Sequence, residues 1–315
     1  MSGTRGSPTR VPDIGDVDLV HAHTPFGIGL GALRVARSRG LPVVGSYHTP
    51  SAEYAAYLSV DGVVEETVRT AATAYERWFL NQTDVVVVPS EQTRRHVRDT
   101  VGVETGTAVV QNGVDVDVFR PDGDLGNCVE DRLPDGPLVG YTGRHGHEKC
   151  LDLLVEAVAE LDREVSLVFG GNGPARESVE TLAEELGVDV CFLGFLDREN
   201  LPAFYTTVDV FGFPSPVETQ GLVALEANAC GTPVAGVDAG ALADTIEDGQ
   251  NGYAGQPGDP AALAEAIRRT LDEREQLRET CLDRRGVISV ERAVDRLTEV
   301  YERVEREGYT GRRNG

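Results

Sequence analysis

From Val208 to Phe213 the chain is an apolar run short enough for a buried strand. It then passes through Pro214-Ser215-Pro216, a carboxylate at Glu218 and a glycine at Gly221 before a helix begins. The first turn of such a helix leaves several backbone N–H groups without intrahelical partners, so a strand feeding a helix this directly makes an anion site at the strand's end. Glu226 lies five residues past Gly221, about 7.5 Å along the axis at 1.5 Å per residue. Two carboxylates therefore flank one helix start at different depths. One is suited to one end of a ligand and the other to its far end.

The strand-helix rhythm recurs along the chain. Leu19 to His23 reads as a strand, Gly27 to Arg39 as a helix closed by Gly40, and Leu41 to Tyr47 as a second strand with His48 at its carboxyl end. Val63 to Leu80 follows as a long helix whose Val64, Val68, Ala71, Tyr75 and Trp78 are spaced for a core-facing stripe. After the strand Asp84 to Val88, Ser90 is placed to cap a helix from Glu91 to Asp99. Leu138 to Thr142 opens a new set. Leu151, Leu154, Val155, Val158 and Leu161 mark its first helix, Leu167 to Gly170 its next strand, and Gly170-Gly171-Asn172-Gly173-Pro174 the turn into another helix. Cys191 to Phe195, Pro233 to Val237, Ala239 to Glu247 and Ala261 to Leu271 continue it. Alternation of this kind implies α/β architecture with parallel sheets, and 315 residues suffice for two domains. The expected organisation is a disordered lead-in over 1–16, a first Rossmann-like domain over 17–121 and a Gly-, Pro- and Asp-rich linker over 122–137. A second Rossmann-like domain over 138–285 and a closing segment over 286–315, with a helix from Val290 to Val304, complete it.

Acidic residues outnumber basic ones 52 to 29, a formal charge of −23 that argues against a nucleic-acid partner. Every basic residue but Lys149 is arginine. Acid enrichment with lysine depletion fits a halophile, in whose molar salt a Debye length of about 3 Å screens the self-repulsion. A GC-rich genome also replaces Lys with Arg without explaining the acid. In such a chain a lysine kept beside a helix start is informative, because an ammonium on a flexible stem is a compact partner for phosphate. No stretch approaches a membrane span and Met1 to Arg10 lack a signal-peptide core, and a cytoplasmic location is expected. Cys128, Cys150, Cys191, Cys230 and Cys281 show no metal-ligand or disulfide spacing and read as reduced, mostly buried thiols. Asp115-Val116-Asp117 spells a metal-binding triplet, but the neighbouring Asn112-Gly113 turn accounts for the acid and no metal is expected.

The span Glu218-x7-Glu226 followed by Ala-Cys-Gly-Thr-Pro-Val resembles the donor-site signature of retaining glycosyltransferases of the family 4 type, which have the GT-B fold of two doubly wound Rossmann-like domains. Other stretches resemble the same family in register: Val20-His21-Ala22-His23, Tyr47-His48-Thr49, Asn112-Gly113-Val114-Asp115 with Phe119-Arg120-Pro121, and Arg144 five residues before Lys149. The resemblance implies a nucleotide-diphosphate sugar as donor and a glycan or lipid acceptor that the sequence leaves open. It places Arg144 and Lys149 on the diphosphate, with backbone amides of Thr219, Gln220, Gly221, Leu222 and Val223 on the sugar and diphosphate. Glu218 is implied on the sugar hydroxyls, Glu226 on the ribose, Gly171, Gly173 and Phe195 on the nucleoside side, and His48 near the reacting sugar. Cys150 departs from the family's usual glycine, a change expected to be tolerated on size.

The resemblance spans residues 17–306 but lacks the family's opening strand and Gly-rich loop. The first domain is therefore expected to be incomplete by about 70 to 100 residues. Two other readings stay open: an epimerase of sugar nucleotides on the same fold, and a non-catalytic nucleotide-sugar-binding remnant.

Overall fold

The computed structural model describes residues 15–48, 62–122, 133–218 and 220–307. Thr49, Cys128, Thr219 and most of the expected lead-in and linker lie outside the described residues. The chain divides into two compact units, one formed by Met1–Val110 with Asp295–Gly315 and the other by Gln111–Val294.

In the first unit β1 (Val20–Ala22), β2 (Val43–Ser46), β3 (Val85–Val88) and β4 (Thr107–Val109) pair in that order, all in parallel. Parallel neighbours require crossovers, and α1 (Gly27–Arg39) and α2 (Gly62–Leu80) supply the first two. The third begins with α3 (Glu91–Arg95), where the Ser90 hydroxyl accepts from the Thr93 N–H at 3.0 Å as the sequence predicts. The helix expected to reach Asp99 widens instead into a π-helical turn over His96–Val101. Alternation along β3 divides two cores. Val86 and Val88 pack with Leu33, Ala36, Phe79 and Leu80, while Val85 and Val87 pack with Val44, Val110, Val300 and Val304. The stripe expected on α2 is corrected at its end. Ala71 and Trp78 are exposed and Tyr75 is half-buried, while the buried positions toward the helix end are Glu76, Phe79 and Leu80, the bare Gly29 of α1 letting the Phe79 ring approach.

The second unit holds β5 (Leu138–Thr142), α4 (Leu151–Ala159), β6 (Ser166–Gly170), α5 (Arg176–Leu186), β7 (Val190–Gly194), α6 (Leu201–Thr207) and β8 (Val210–Phe213). Then come α7 (Leu222–Ala229), β9 (Val234–Val237), α8 (Leu242–Thr245), β10 (Gly252–Gly255), α9 (Pro260–Asp272) and α10 (Arg274–Asp283). The last helix, α11 (Val290–Glu307), starts in this unit and ends in the first. The strand order is β10-β9-β8-β5-β6-β7, all parallel. The chain thus winds outward from β5 through β6 to β7, then returns to the other side of β5 and winds outward again. Tyr141, Phe169, Phe211, Phe213, Phe204 and Tyr205 fill the core with fully buried rings.

Residues 111–121 belong to this second unit by their contacts. The Val114 N–H donates to the Ile288 carbonyl at 2.8 Å, and the Val114 carbonyl accepts from the Val290 N–H at 3.0 Å. Gly113 is required there by close approach and not by turn geometry, since a Cβ would lie 2.5 Å from the Ser289 carbonyl oxygen and from Val290 Cα. Asp115 is a turn former whose Oδ1 accepts from the N–H groups of Asp117 and Val118. We expect Gly113→Ala to lower stability by about 1 to 3 kcal/mol through overpacking against backbone. Gly106→Ala, where a Cβ meets nothing within 4 Å, should change it by less than about 0.5 kcal/mol. Denaturant melts of the two variants check the contrast.

Candidate active site

The reversal of strand order beside β5 leaves a crevice at the carboxyl ends of β5 and β8, where the two following loops diverge to opposite sides of the sheet. Those loops carry the residues singled out from the sequence. The loop after β5 holds Arg144 and Lys149, and the loop after β8 holds Glu218 and leads through Gly221 into α7. They are tied together by the fully buried Ser215, whose hydroxyl donates to the Glu148 carbonyl at 3.4 Å. The Ala241 N–H, from the loop after β9, donates to the Glu218 carbonyl at 2.7 Å.

At the centre Lys149 Nζ donates to Glu218 Oε2 at 3.1 Å, with side chains 22% and 18% exposed. The other carboxylate oxygen accepts long bonds of 3.3 Å from the N–H groups of Gln220 and Gly221. Gly221 stands at the N-cap of α7 with φ 64°, a left-handed conformation suited to glycine, and no side chain caps the helix there. Glu218 is thus gripped between the sole lysine and the amides that lead into the helix start, while Leu222 is exposed and Val223 half-buried in the first turn. The sequence separated Lys149 and Glu218 by ligand role; the structure joins them directly.

Arg144 is not drawn into that contact. Its guanidinium lies 3.7 Å from Glu148, and both side chains are about half exposed. The Glu148 carboxylate folds over the space at Gly146. An exposed pair of this kind is weak and exchanges readily for another anion.

The glycines assigned to the nucleoside side have a structural job. A Cβ on Gly171 would lie 2.0 Å from the Gly143 carbonyl oxygen, and one on Gly173 would lie 2.5 Å from that of His145, so the turn after β6 packs backbone to backbone on the loop after β5. The His145 N–H donates to Asn172 O at 3.0 Å, and the Ala175 N–H to His145 O at 2.9 Å. His145, which sequence reasoning missed, is fully buried among Tyr141, Phe169 and Phe192, with Nε2 3.3 Å from the Gly170 carbonyl. Burial, partly opposed by that hydrogen bond, pushes its pKa down. Its only sequence signal was its place between Gly143 and Gly146. The helix expected to open at Pro174 starts at Arg176. Phe195, past β7, is 83% exposed.

Glu226 faces a separate network. Tyr205 donates to Glu226 Oε2 at 2.8 Å and lies 3.2 Å from the hydroxyl of Thr142, the last residue of β5. Burial raises the Glu226 pKa against the lowering effects of Tyr205 and Arg198.

In the first unit the carboxyl ends of β1 and β2 bring His21, His23 and His48 together. His21 is pinned through both ring nitrogens, to Tyr301 Oη at 2.6 Å and Ser46 Oγ at 2.7 Å. Its ring stacks on that of His23 at 4.0 Å, and His23 Nδ1 is 3.2 Å from His48 Nε2. Burial and the neighbouring imidazoles depress His21 to about 4, and burial and His23 depress His48. His21 is therefore held in place by two hydrogen bonds, and the shift on His48 favours its neutral form.

Cys150 shows that size is not what its position demands. It has φ 51° and ψ 44°, the only non-glycine positive φ among the described residues, at the junction of a 3₁₀ turn (His147–Lys149) and α4. Of the cysteines described, Cys230 and Cys281 are buried, while Cys150 and Cys191 are partly exposed.

Comparison with known proteins accords with this geometry. The profile for glycosyl transferases group 1 matches residues 130–283, and that for Glycosyltransferase Family 4 matches residues 10–118. Sulfoquinovosyl transferase SQD2 of Arabidopsis thaliana is 31% identical over 265 residues, which are 82% of this chain and 50% of that protein. A D-inositol 3-phosphate glycosyltransferase of Geodermatophilus obscurus is 34% identical over 306 residues, 91% of this chain and 66% of that protein. The chain thus spans between half and two thirds of the length of these relatives. Among solved structures, Anabaena HepE in complex with UDP superposes with a TM-score of 0.75 at 21% identity, covering 90% of this chain and 78% of that one. The two parallel-sheet units are those of the GT-B fold. The chain belongs to the group 1, family 4 glycosyltransferases.

Two outcomes follow from the site's geometry. Cys150→Gly should raise stability by about 1 kcal/mol, the left-handed cost removed less the added unfolded-state freedom of glycine, read as a rise in Tm. For His21 the folded pKa of about 4 lies below the ordinary 6.5, so the unfolded state binds the extra proton between those values. Stability from this group is full above pH 6.5 and is lost as pH falls toward 4. His21→Gln should flatten that window when melts of both proteins are compared across it.

Proposed function

We propose that this chain transfers a sugar from a nucleoside-diphosphate donor to an acceptor with retention at the anomeric carbon. The observation that carries the reading is the only lysine of the chain held 3.1 Å from Glu218 beside the amides of a helix start, at the crevice where strand order reverses. Fixed positive charge there stabilises the diphosphate as its bond to the sugar breaks, and such preorganised charge is the largest contribution expected of a site of this kind. Lys149 and Arg144 meet the diphosphate, with Arg144 released from its loose contact to Glu148. The amides of Thr219 to Val223 receive phosphate and sugar oxygens, and Glu218, an acceptor only, orients the sugar hydroxyls. Glu226 takes the ribose, Gly171, Gly173 and Phe195 line the nucleoside side, and His48 hydrogen-bonds to the sugar during transfer.

The acceptor hydroxyl adds to the anomeric carbon on the face the diphosphate leaves, through an oxocarbenium-like state, and its proton passes to the departing phosphate oxygen. Glu218 is committed to Lys149 and to the hydroxyls, so no carboxylate is assigned as a covalent nucleophile, and the reading uses no metal. Among the described residues no helix is long and apolar enough to cross a membrane, and we place the reaction in a cytoplasm of high salt, as the acidic composition suggests.

UDP and uridine are the probes. Lys149→Ala should weaken UDP by about 10- to 100-fold and uridine little, because a charge-assisted bond of about 1.5 to 3 kcal/mol is lost only when phosphate is present. Calorimetry with both ligands measures it; equal losses would remove Lys149 from the phosphate site. With UDP-glucose as donor, Glu218→Gln should slow release of UDP in a variant that still folds, and a changed sugar without UDP release would favour epimerisation.

A further inference from the structure

Tyr205 is a fully buried titratable residue that the proposed transfer does not use. It lies on α6 with its ring 5.5 Å from that of Phe211, 5.9 Å from Phe204 and 6.1 Å from Phe119, and its carbonyl accepts from the Thr232 hydroxyl. Inside this apolar packing its hydroxyl meets two polar groups, Glu226 Oε2 on α7 at 2.8 Å and Thr142 Oγ1 at the end of β5 at 3.2 Å. An ionised carboxylate only accepts, so the Tyr205 proton goes to Glu226 and the Tyr205 oxygen accepts from Thr142. Burial and the adjacent carboxylate push the Tyr205 pKa well up, which keeps it a donor. The direction of both bonds is thereby fixed.

Glu226 itself is half-buried, and the described residues give it no salt bridge. A carboxylate partly withdrawn from water and met by one neutral hydroxyl has acceptor capacity to spare. Oε2 is committed to Tyr205, which leaves Oε1 for a donor on a ligand. We propose that Tyr205 is a positioning residue for ribose recognition: its hydroxyl fixes the rotation of the Glu226 carboxylate so that Oε1 meets the ribose hydroxyls, and the site selects ribonucleoside over 2′-deoxyribonucleoside diphosphates. The inference rests on the reading of Glu226 as the ribose contact. A site built to pair a hydroxyl discriminates strongly against an analogue lacking it, because its own polar group is then left without a partner. That discrimination requires an acceptor held in place, since a carboxylate free to turn would pair with water instead. The same hydroxyl ties Glu226 to Thr142, the last residue before the loop that holds Arg144 and Lys149, so the ribose and diphosphate contacts share one buried anchor.

Of UDP, GDP and ADP, the one that binds the 315-residue chain most tightly by calorimetry is the probe, compared with its 2′-deoxy form. The parent chain should prefer the ribo form by about tenfold or more, and Glu226→Gln should remove most of that preference. Tyr205→Phe deletes the hydroxyl and keeps the ring; it should weaken the ribo form about three- to tenfold and the 2′-deoxy form less than about twofold. Lys149→Ala, in contrast, should weaken both forms equally. Should Tyr205→Phe melt early with the Thr142 hydroxyl left unpaired, Tyr205→Phe with Thr142→Val removes both hydroxyls and makes the same comparison. Equal weakening of both forms, or a preference that Tyr205→Phe leaves intact, overturns the inference and makes the Tyr205 contact a packing feature only. A parent chain without a ribo preference, or a Glu226→Gln variant that keeps it, overturns the ribose reading of Glu226. Binding of none of the three diphosphates overturns the donor reading, and either result takes this inference with it.

Discussion

Reversal of strand order between β5 and β8 is the constraint on which the second unit's chemistry rests. Parallel strands of this sheet carry their crossovers on both faces, and only where the winding changes direction do adjacent loops leave in opposite directions. There the loops ending in Lys149 and Glu218 are brought into contact across 69 residues of sequence. The neighbouring loops brace them: Ala241 from beyond β9 holds the Glu218 backbone, and the turn after β6 locks the loop after β5 through Gly171, Gly173 and the buried His145. Four consecutive strands of the sheet thus contribute to one rigid rim.

Strain and burial are concentrated on that rim. Cys150 holds a left-handed backbone at a cost of about 1 to 2 kcal/mol, and this lets the 3₁₀ turn carrying Lys149 pass straight into α4. His145, packed among aromatic rings, has a buried Nδ1 with no hydrogen-bond partner. Local strain of this kind persists when neighbouring structure over-determines it, and it collects at functional sites. The first unit shows a milder version: His21 is fixed by Tyr301 and Ser46 so that its ring supports His23 and, through it, His48.

Elements with strong local signals were legible in the sequence. The valine run of β3, the Ser90 cap and the strand-loop-helix around Glu218 each depend on neighbours a few residues away, and all three appear where the pattern puts them. What the sequence did not reveal depends on distant partners. The burial of Phe79 turns on a glycine in another helix, the need for Gly113 on the Ser289 backbone, and the pairing of Glu226 on Tyr205. Periodicity also reports that a helix has an apolar face without fixing how that face is turned at the helix end, which is why Tyr75 and Trp78 looked like core. Cys150 hides a backbone requirement for a different reason: letters encode side-chain size plainly and backbone sign only through glycine, which is absent there.

The charge distribution divides by range. A surface of net −23 repels an anionic ligand over the distance salt permits, about 10 Å at 0.1 M and about 3 Å at 1 M. Long-range steering therefore works against an anion at low salt and vanishes at high salt. Attraction has to act at contact, from groups that solvent ions reach poorly. Lys149 and the amides at the start of α7 meet that requirement, being partly buried and fixed before any ligand arrives. Arg144 does not: half exposed and loosely held by Glu148, it is weakened by the same salt that quiets the surface. The two cations of one loop consequently differ in kind. Lys149 supplies a charge whose worth depends on the rigidity of the crevice, and Arg144 supplies one whose worth depends on the solution around it.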